Sequence, residues 1–145
     1  MGDLSKELNS KFSNAKIKAM INVLYTANWI TNFQNEFFKP FGISPQQYNI
    51  LKILKGANEP LKVQSIKDRM IDRSPNATRL MDKLYAKDLI KRSPSSEDRR
   101  VVLIEITELG KTLLGSISDD FNDDLVKNIT EDEAQLLTDL LDKMR

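Results

Sequence analysis

Four polar side chains in the middle of the chain have the types and spacing to read the edges of DNA base pairs. They are Asn76, Thr78, Arg79 and Lys83. Arginine can donate two hydrogen bonds to guanine, and asparagine can pair with adenine in the same two-point manner. Asn76, Thr78 and Arg79 are therefore candidates for base contacts, and Lys83 for the DNA backbone. The alternative is that these side chains form an ordinary solvated helix face.

Ser74 and Pro75 precede these residues and predict the start of their helix. Serine is a favoured N-cap, and proline at the first helical position has no amide hydrogen to lose. The free amides and the dipole at such a helix start attract phosphate groups. Ser74 is therefore a further candidate for a contact with nucleic acid.

A second basic group follows about twenty residues later, where Asp98, Arg99 and Arg100 adjoin a polar turn. Narrow A·T-rich minor grooves have a strong negative potential that favours inserted arginine side chains. We therefore expect at least one of the two arginines to enter a minor groove. The alternative is that Asp98 and Arg100 only stabilise the turn.

The elements that must position these residues are a helix and a hairpin. Ala77, Leu80, Met81 and Leu84 recur at helical spacing and predict one buried helix face. The segments 89–93 and 101–106 predict two strands joined by a turn at 94–98. Thr107 is expected to cap the next helix. A helix, a hairpin with a basic tip and a further helix form the skeleton of a winged helix.

The preceding segments predict the rest of a helix-turn-helix. Residues 63–70 form a short helix, and a four-residue connection, 71–74, leads to the helix after Ser74. An earlier helix begins at Ser44, which has capping-box spacing to Gln47. We expect Gly56 to end that earlier helix in the left-handed conformation, and Asp88 to adopt the same conformation after the Ser74 helix.

Long apolar helices flank this core on both sides. The segment 12–38 has an apolar arc wider than a one-sided surface helix needs. A long helix is predicted from Thr107, and a final one after the capping box of Thr130 and Glu133. We therefore expect residues 1–39 and 107–145 to form a homodimerisation region and residues 40–106 the winged helix-turn-helix. The fold class is mainly α with a small β-hairpin wing.

Composition argues against enzymatic, metal-bound and membrane-spanning classes. The 145 residues contain no cysteine and no histidine, which removes thiolate ligands, the commonest metal ligand and the usual general base. We expect no cofactor, no catalytic site, no transmembrane segment and a cytoplasmic protein. Residues 62–111 carry a net charge of +4 and residues 112–145 carry −6, which favours one face suited to a polyanion. The alternative is a chance scatter of charge, so this pattern alone decides little.

The run from Leu61 to Gly110 resembles the MarR family of bacterial transcription regulators. The most specific part is Asp98-Arg99-Arg100 followed by an alternating strand, Thr107 and Gly110. The resemblance implies a triangular dimer paired through the first, fifth and sixth helices, with recognition helix and wing on double-stranded DNA. It also implies that Arg100 inserts into the groove and that Asp98 holds it by an ion pair. One departure is Asp88, where the family usually has glycine.

The resemblance further implies a sequence-specific repressor of a pseudo-palindromic operator, modulated by a small aromatic or amphipathic effector. Trp29, Phe33 and Tyr48 are the candidate effector-pocket residues, although aromatic side chains on helices usually belong to a core. The alternative function is a winged-helix protein-interaction adaptor without DNA binding. The exposed arginines expected on the recognition helix and the wing argue against that alternative.

Overall fold

The computed structural model describes residues 2–73 and 76–145 of the chain. The chain begins and ends with helices, and the strands of a small sheet lie in its middle. The elements are α1 (Leu4–Glu7), α2 (Ala15–Phe38), a 3₁₀ turn (Lys39–Phe41), α3 (Pro45–Ala57), β1 (Leu61–Lys62), α4 (Val63–Arg69), α5 (Ala77–Ala86), β2 (Ile90–Pro94), β3 (Val102–Ile106), α6 (Glu108–Gly115), α7 (Asp123–Val126) and α8 (Glu131–Met144).

The sheet consists of three antiparallel strands in the order β1-β3-β2. β2 and β3 form the wing, in register from Ile90 opposite Ile106 to Pro94 opposite Val102. The two-residue strand β1 pairs with β3 on its other side. The predicted fold class, mainly α with a β-hairpin wing after a helix-turn-helix, is confirmed.

A continuous apolar core joins α3, α4, α5 and the wing. The side chains of Ile50, Leu51, Ile66 and Leu84 are fully buried, and so is that of Ile104 on β3. Full burial of aliphatic side chains of this size is worth about 1.5–3 kcal/mol each. The core therefore fixes α5, the predicted recognition helix, against the rest of the winged helix.

α3 begins as predicted and ends later than predicted. The Ser44 side chain accepts from the Gln47 amide, and the Gln47 side chain accepts from the Ser44 amide, which completes the capping box. The prediction that Gly56 ends this helix in the left-handed conformation is wrong. Gly56 is helical, and Asn58 takes the left-handed conformation with φ +53°. Asparagine tolerates this region because its short polar side chain can hydrogen-bond locally.

A side chain of α3 holds the connection between α4 and α5 by a hydrogen bond. The Asn49 side chain accepts a hydrogen bond of 3.0 Å from the Ile71 backbone amide. α5 then begins at Ala77, with Asn76 as its N-cap residue. The predicted capping role of Ser74 lies outside the described residues. Asp88, after the end of α5, has φ +59°, so the predicted left-handed residue is confirmed.

The long helix predicted from Thr107 is interrupted. α6 ends at Gly115, and the next helix is the four-residue α7. Ser118 hydrogen-bonds to the carboxylate of Asp120 between them. The Asp123 amide donates to the Asp120 carbonyl at 2.9 Å, a three-residue step that forms a turn. α8 starts at the predicted capping box of Thr130 and Glu133.

The chain divides into two compact units, one that ends at Leu114 and one that runs Gly115–Arg145. The first unit contains the winged helix and α2, and the second contains α7 and α8. Within the described residues, no helix is both long and apolar enough to cross a membrane.

Candidate nucleic-acid interface

α5 separates a buried apolar face from an exposed polar face. Ala77, Met81 and Leu84 are buried at steps of four and three residues. Asn76, Arg79 and Lys83 are exposed at steps of three and four, so these three side chains share a face of the helix. Thr78 is also exposed. The structure therefore brings these four predicted residues to the solvent side of one helix.

A buried amide from α3 connects to the backbone of α5. Gln47 is only 5% exposed, and its side-chain nitrogen donates to the Leu80 carbonyl at 3.4 Å. The same side chain closes the capping box of α3, so one residue joins the start of α3 to the middle of α5. Sequence analysis used Gln47 only as a capping residue, because its tertiary partner lies 33 positions away.

The tip of the wing is an ordered turn. The Ser95 amide donates to the Val101 carbonyl at 2.8 Å, and the Val101 amide donates to the Asp98 carbonyl at 3.0 Å. These bonds extend the hairpin beyond the last paired residues of β2 and β3. Arg99 and Arg100 are therefore carried on a defined loop, with both side chains exposed.

Asp98 contacts Arg100 through the backbone. Its carboxylate accepts from the Arg100 amide at 3.0 Å. The expected Asp98–Arg100 ion pair is absent from the salt bridges of the described residues. The carboxylate thus shapes the turn, as aspartate side chains often do two residues ahead, and leaves the guanidinium of Arg100 to solvent.

Four exposed cations on α5 and the wing make no ion pair within the described part of the chain. They are Arg79, Lys83, Arg99 and Arg100. An unpaired surface cation can neutralise a phosphate without first losing a protein partner. The arrangement is chemically suited to an extended polyanion, with one group of cations on a helix and the other on a loop.

Arg92 differs from these four cations because it is paired within the protein. It lies on β2, its guanidinium contacts the Asp82 carboxylate, and its Cζ is 4.8 Å from the centre of the Tyr85 ring. Asp82 and Tyr85 both belong to α5. Sequence analysis missed this connection, since only the fold places β2 beside α5.

Comparison with known proteins identifies the family. Residues 43–102 match the model of the MarR family. The chain is 32% identical over 120 residues to the HTH-type transcriptional regulator MhqR of Bacillus subtilis, covering 79% of this chain and 81% of that protein. The chain belongs to the MarR family. It is also 30% identical to the multiple antibiotic resistance protein MarR of Escherichia coli, over 76% of this chain and 78% of that one.

Solved structures of MarR proteins have the same fold. A mutant MarR from E. coli complexed with operator DNA matches with a TM-score of 0.75 and 25% identity, covering 99% of both chains. The DNA complex of MepR from S. aureus has the same TM-score at 23% identity and shows the fold alone. The relatives are transcriptional regulators, so this MarR-family chain is a transcriptional regulator and not an enzyme.

The three predicted effector-pocket residues are not all close together. Tyr48 stacks on Phe38, with ring centres 4.7 Å apart, at the end of α2. Trp29 lies nine residues before Phe38 on α2, which is about 13 Å along the helix axis. The Trp29 side chain is 50% exposed. Phe33 is half-buried between them. Tyr48 therefore belongs to an aromatic cluster with Phe38, and Trp29 lies on an open helix face.

Two cavities occur in the part of the chain that the structure describes, and neither is lined by Trp29, Phe33 or Tyr48. One of about 170 Å³ lies between α5 and the wing and is lined by Val63, Thr78, Met81, Asp82, Arg92, Val102 and Ile104. Another of about 250 Å³ lies at the connection before α5 and is lined by Gln64, Lys67, Asp68, Met70, Asp72, Arg73 and Ala77. Neither cavity includes an aromatic residue predicted for an effector.

Proposed function

We propose that this MarR-family regulator is a cytoplasmic repressor that binds a pseudo-palindromic operator in double-stranded DNA as a homodimer. The observation that carries the proposal is the set of unpaired cations on α5 and the wing tip, described above. A helix face suits a major groove, and a basic loop beside it suits the neighbouring minor groove. The E. coli MarR mutant, which is similar over 99% of the chain, was solved in complex with operator DNA, and this supports DNA binding by the present chain.

The base-reading role is assigned to the exposed face of α5. Asn76, Thr78 and Arg79 lie at its N-terminal part, the part of a recognition helix that usually contacts base edges. Lys83 lies one turn further along and is assigned to the phosphate backbone. Arg99, Arg100 and the Asp98-shaped turn are assigned to the minor groove, and Ser74 to a phosphate.

A homodimer is proposed because both compact units expose more apolar helix surface than a soluble monomer usually does. On α2, Met20 is 41% exposed, Leu24 61% and Trp29 50%. On α8, Leu136, Leu137, Leu140 and Met144 are each at least half exposed. The proposed dimerisation region is residues 1–39 with residues 107–145, and the proposed DNA-binding region is residues 40–106.

Replacement of Arg79 and of Arg100 by alanine tests the proposal, because the two residues have different tasks. A duplex is first selected with the wild-type protein from random DNA. Arg79→Ala should relax base preference and cost about 1–3 kcal/mol per half-site. Arg100→Ala should weaken binding to selected and scrambled duplexes alike, reduce the salt dependence and lower the preference for A·T-rich flanks.

Lys143→Ala is the matched control, because it removes an exposed cation from α8, outside the proposed interface. It should leave affinity and salt dependence at wild-type values. Titration by fluorescence anisotropy at several salt concentrations gives both quantities for each variant. Unchanged binding of both duplexes by Arg79→Ala and Arg100→Ala would contradict the proposal. Failure of the wild type to select any duplex would favour a winged-helix adaptor without DNA binding.

We further propose that a small aromatic or amphipathic effector modulates this regulator. The family resemblance and the exposed Trp29 on α2 support the proposal. Trp29 is the only tryptophan of the chain, so its fluorescence reports on this position alone. The half-buried Phe33 is one helical turn away and offers an apolar neighbour. Tyr48 is assigned to the aromatic cluster with Phe38 at the end of α2.

A further inference from the structure

Arg92 connects the wing to the recognition helix by two directional contacts. Its guanidinium pairs with the Asp82 carboxylate and lies 4.8 Å from the centre of the Tyr85 ring. Asp82 and Tyr85 are three residues apart on α5, so they lie on the same face of the helix. The guanidinium thus has two partners on α5, one a carboxylate and the other an aromatic ring.

The apolar core shared by α5 and the wing ends here at a groove that opens to solvent. The cavity of about 170 Å³ between the two elements is lined by Thr78 and Met81 of α5 and by Val102 and Ile104 of β3. Asp82 and Arg92 also border this space. Water can enter this groove, so the contact of Arg92 with Asp82 spans a part of the boundary that apolar packing does not fill.

The contacts of Arg92 can orient the wing relative to α5, but they add little to the stability of the fold. The Arg92 side chain is 33% exposed and that of Asp82 is 56% exposed, and ion pairs at such exposure add little to global stability. An arginine held by both a carboxylate and an aromatic ring nevertheless has few ways to rotate. A lysine in its place would retain the charge and lose the planar geometry.

We propose that Arg92, with Asp82 and Tyr85, is a positioning residue that sets the angle of the wing relative to the recognition helix. The inference deepens the proposed DNA-binding function, because major-groove and minor-groove contacts require the two elements at a fixed distance. Arg92 acts through Asp82 and Tyr85 and reaches DNA only indirectly. It therefore differs from Arg79 and Arg100, which are assigned to direct contacts.

The first test measures the wing without DNA. The chain has no cysteine, so spin labels can be attached at Ser96→Cys on the wing loop and Ala86→Cys at the end of α5. Labelled chain is mixed with excess unlabelled chain, and pulsed electron paramagnetic resonance gives the distance distribution. Arg92→Gln and Asp82→Asn should each broaden the distribution relative to the wild type, whereas Arg92→Lys should broaden it less.

Lys91→Gln is the matched control for this measurement. Lys91 is the neighbour of Arg92 on β2, and it pairs with Glu105 of β3 at 3.3 Å. Its ion pair therefore lies within the wing and does not reach α5. The control should keep the wild-type distribution. An unchanged distribution in Arg92→Gln, with thermal melting showing a folded protein, would overturn the proposal even if the wild type failed to bind DNA.

The second test concerns binding to a duplex selected by the wild type. Arg92→Gln should weaken binding on the order of 3- to 10-fold, and hydroxyl-radical footprinting should lose protection at the flanking minor grooves first. The exchanged pair Asp82→Arg with Arg92→Asp should recover affinity and footprint, because it restores attraction between helix and wing. Failure of the exchange to recover either, beside an unchanged distance distribution, would assign Arg92 to direct DNA contact instead.

Discussion

Gly110 shows how a single residue fixes the junction between the wing and α6. A methyl group at this position would clash with the Leu89 carbonyl and lie 2.7 Å from Cγ1 of Ile106. The Gly110 amide donates to the Thr107 hydroxyl at 3.0 Å, and that hydroxyl donates to the Asp88 carbonyl at 2.6 Å. The absence of a side chain therefore permits the close approach that these hydrogen bonds need.

Gly110→Ala is expected to destabilise the protein by about 1–3 kcal/mol, because the added methyl group overpacks against backbone that cannot move freely. Alanine gains up to about 1 kcal/mol in helix propensity, which offsets the clash only in part. Urea denaturation followed by circular dichroism measures the difference in the free energy of unfolding.

Gly56→Ala provides the control for the same substitution within a helix. No atom lies within 4 Å of the added methyl group at this position. The variant should be as stable as the wild type or more stable by up to about 1 kcal/mol. If the two substitutions changed the free energy of unfolding equally, the close contacts at Gly110 would not be the cause of any destabilisation.

The short helix α1 is an element connected to α2 by polar contacts. The Asp3 carboxylate lies 3.6 Å from the Lys18 ammonium. Hydrogen bonding to Glu7, and then the negative charge of Glu7, raise the pKa of Tyr25 above its ordinary value of 10.0. The N-terminal segment is thereby linked to α2 at two points, about two helical turns apart along α2.

The raised pKa of Tyr25 predicts how stability depends on alkaline pH. The unfolded chain loses the tyrosine proton near pH 10, while the folded chain keeps it to a higher pH. The stabilisation that Tyr25 gains from Glu7 is therefore fully present below about pH 10. The free energy of unfolding falls as the pH rises beyond about 10. Glu7→Gln should reduce this fall and lower the pKa of Tyr25, because glutamine can still accept the hydrogen bond but carries no negative charge.

Ultraviolet absorbance of tyrosinate follows the titration of Tyr25. Tyr25→Phe assigns the shifted step to Tyr25. If Glu7→Gln left the step of Tyr25 at the wild-type pH, the contact between α1 and α2 would not form in solution.

Whole-molecule behaviour depends on the exposed apolar faces of α2 and α8. Under the proposed homodimer, Leu137→Asp with Leu140→Asp should yield a folded monomer, because a dimer would bury the new charges without partners. Both leucines are at least half exposed within one chain, so the monomer itself tolerates the change. Sedimentation should show the wild type at twice the chain mass of 16.6 kDa at micromolar concentration and the variant near that mass.

Gln135→Asp with Thr138→Asp adds the same charge to the polar side of α8 and should remain dimeric. Both residues are exposed, and they lie three positions apart on the same helix. A wild-type protein that sediments as a single chain at this concentration would reject the dimer.

The sequence determined the local features of this protein, because each depends on neighbours along the chain. The capping boxes at Ser44 and Thr130, the left-handed Asp88 and the apolar face of α5 are all set by residues within one or two helical turns. The sequence also placed Arg79 on an exposed helix face and Arg100 at a hairpin tip. Family resemblance added the functional interpretation of that pattern.

Only the tertiary structure decided which distant residues meet. The Arg92 contact with Asp82 and the Gln47 contact with Leu80 join elements whose proximity is set by the common apolar core, and no local signal encodes it. The exact helix ends were also not predicted from the sequence. Asn58 rather than Gly56 ends α3, and α6 ends at Gly115, because helix ends depend on small local differences in free energy that sequence signals do not resolve.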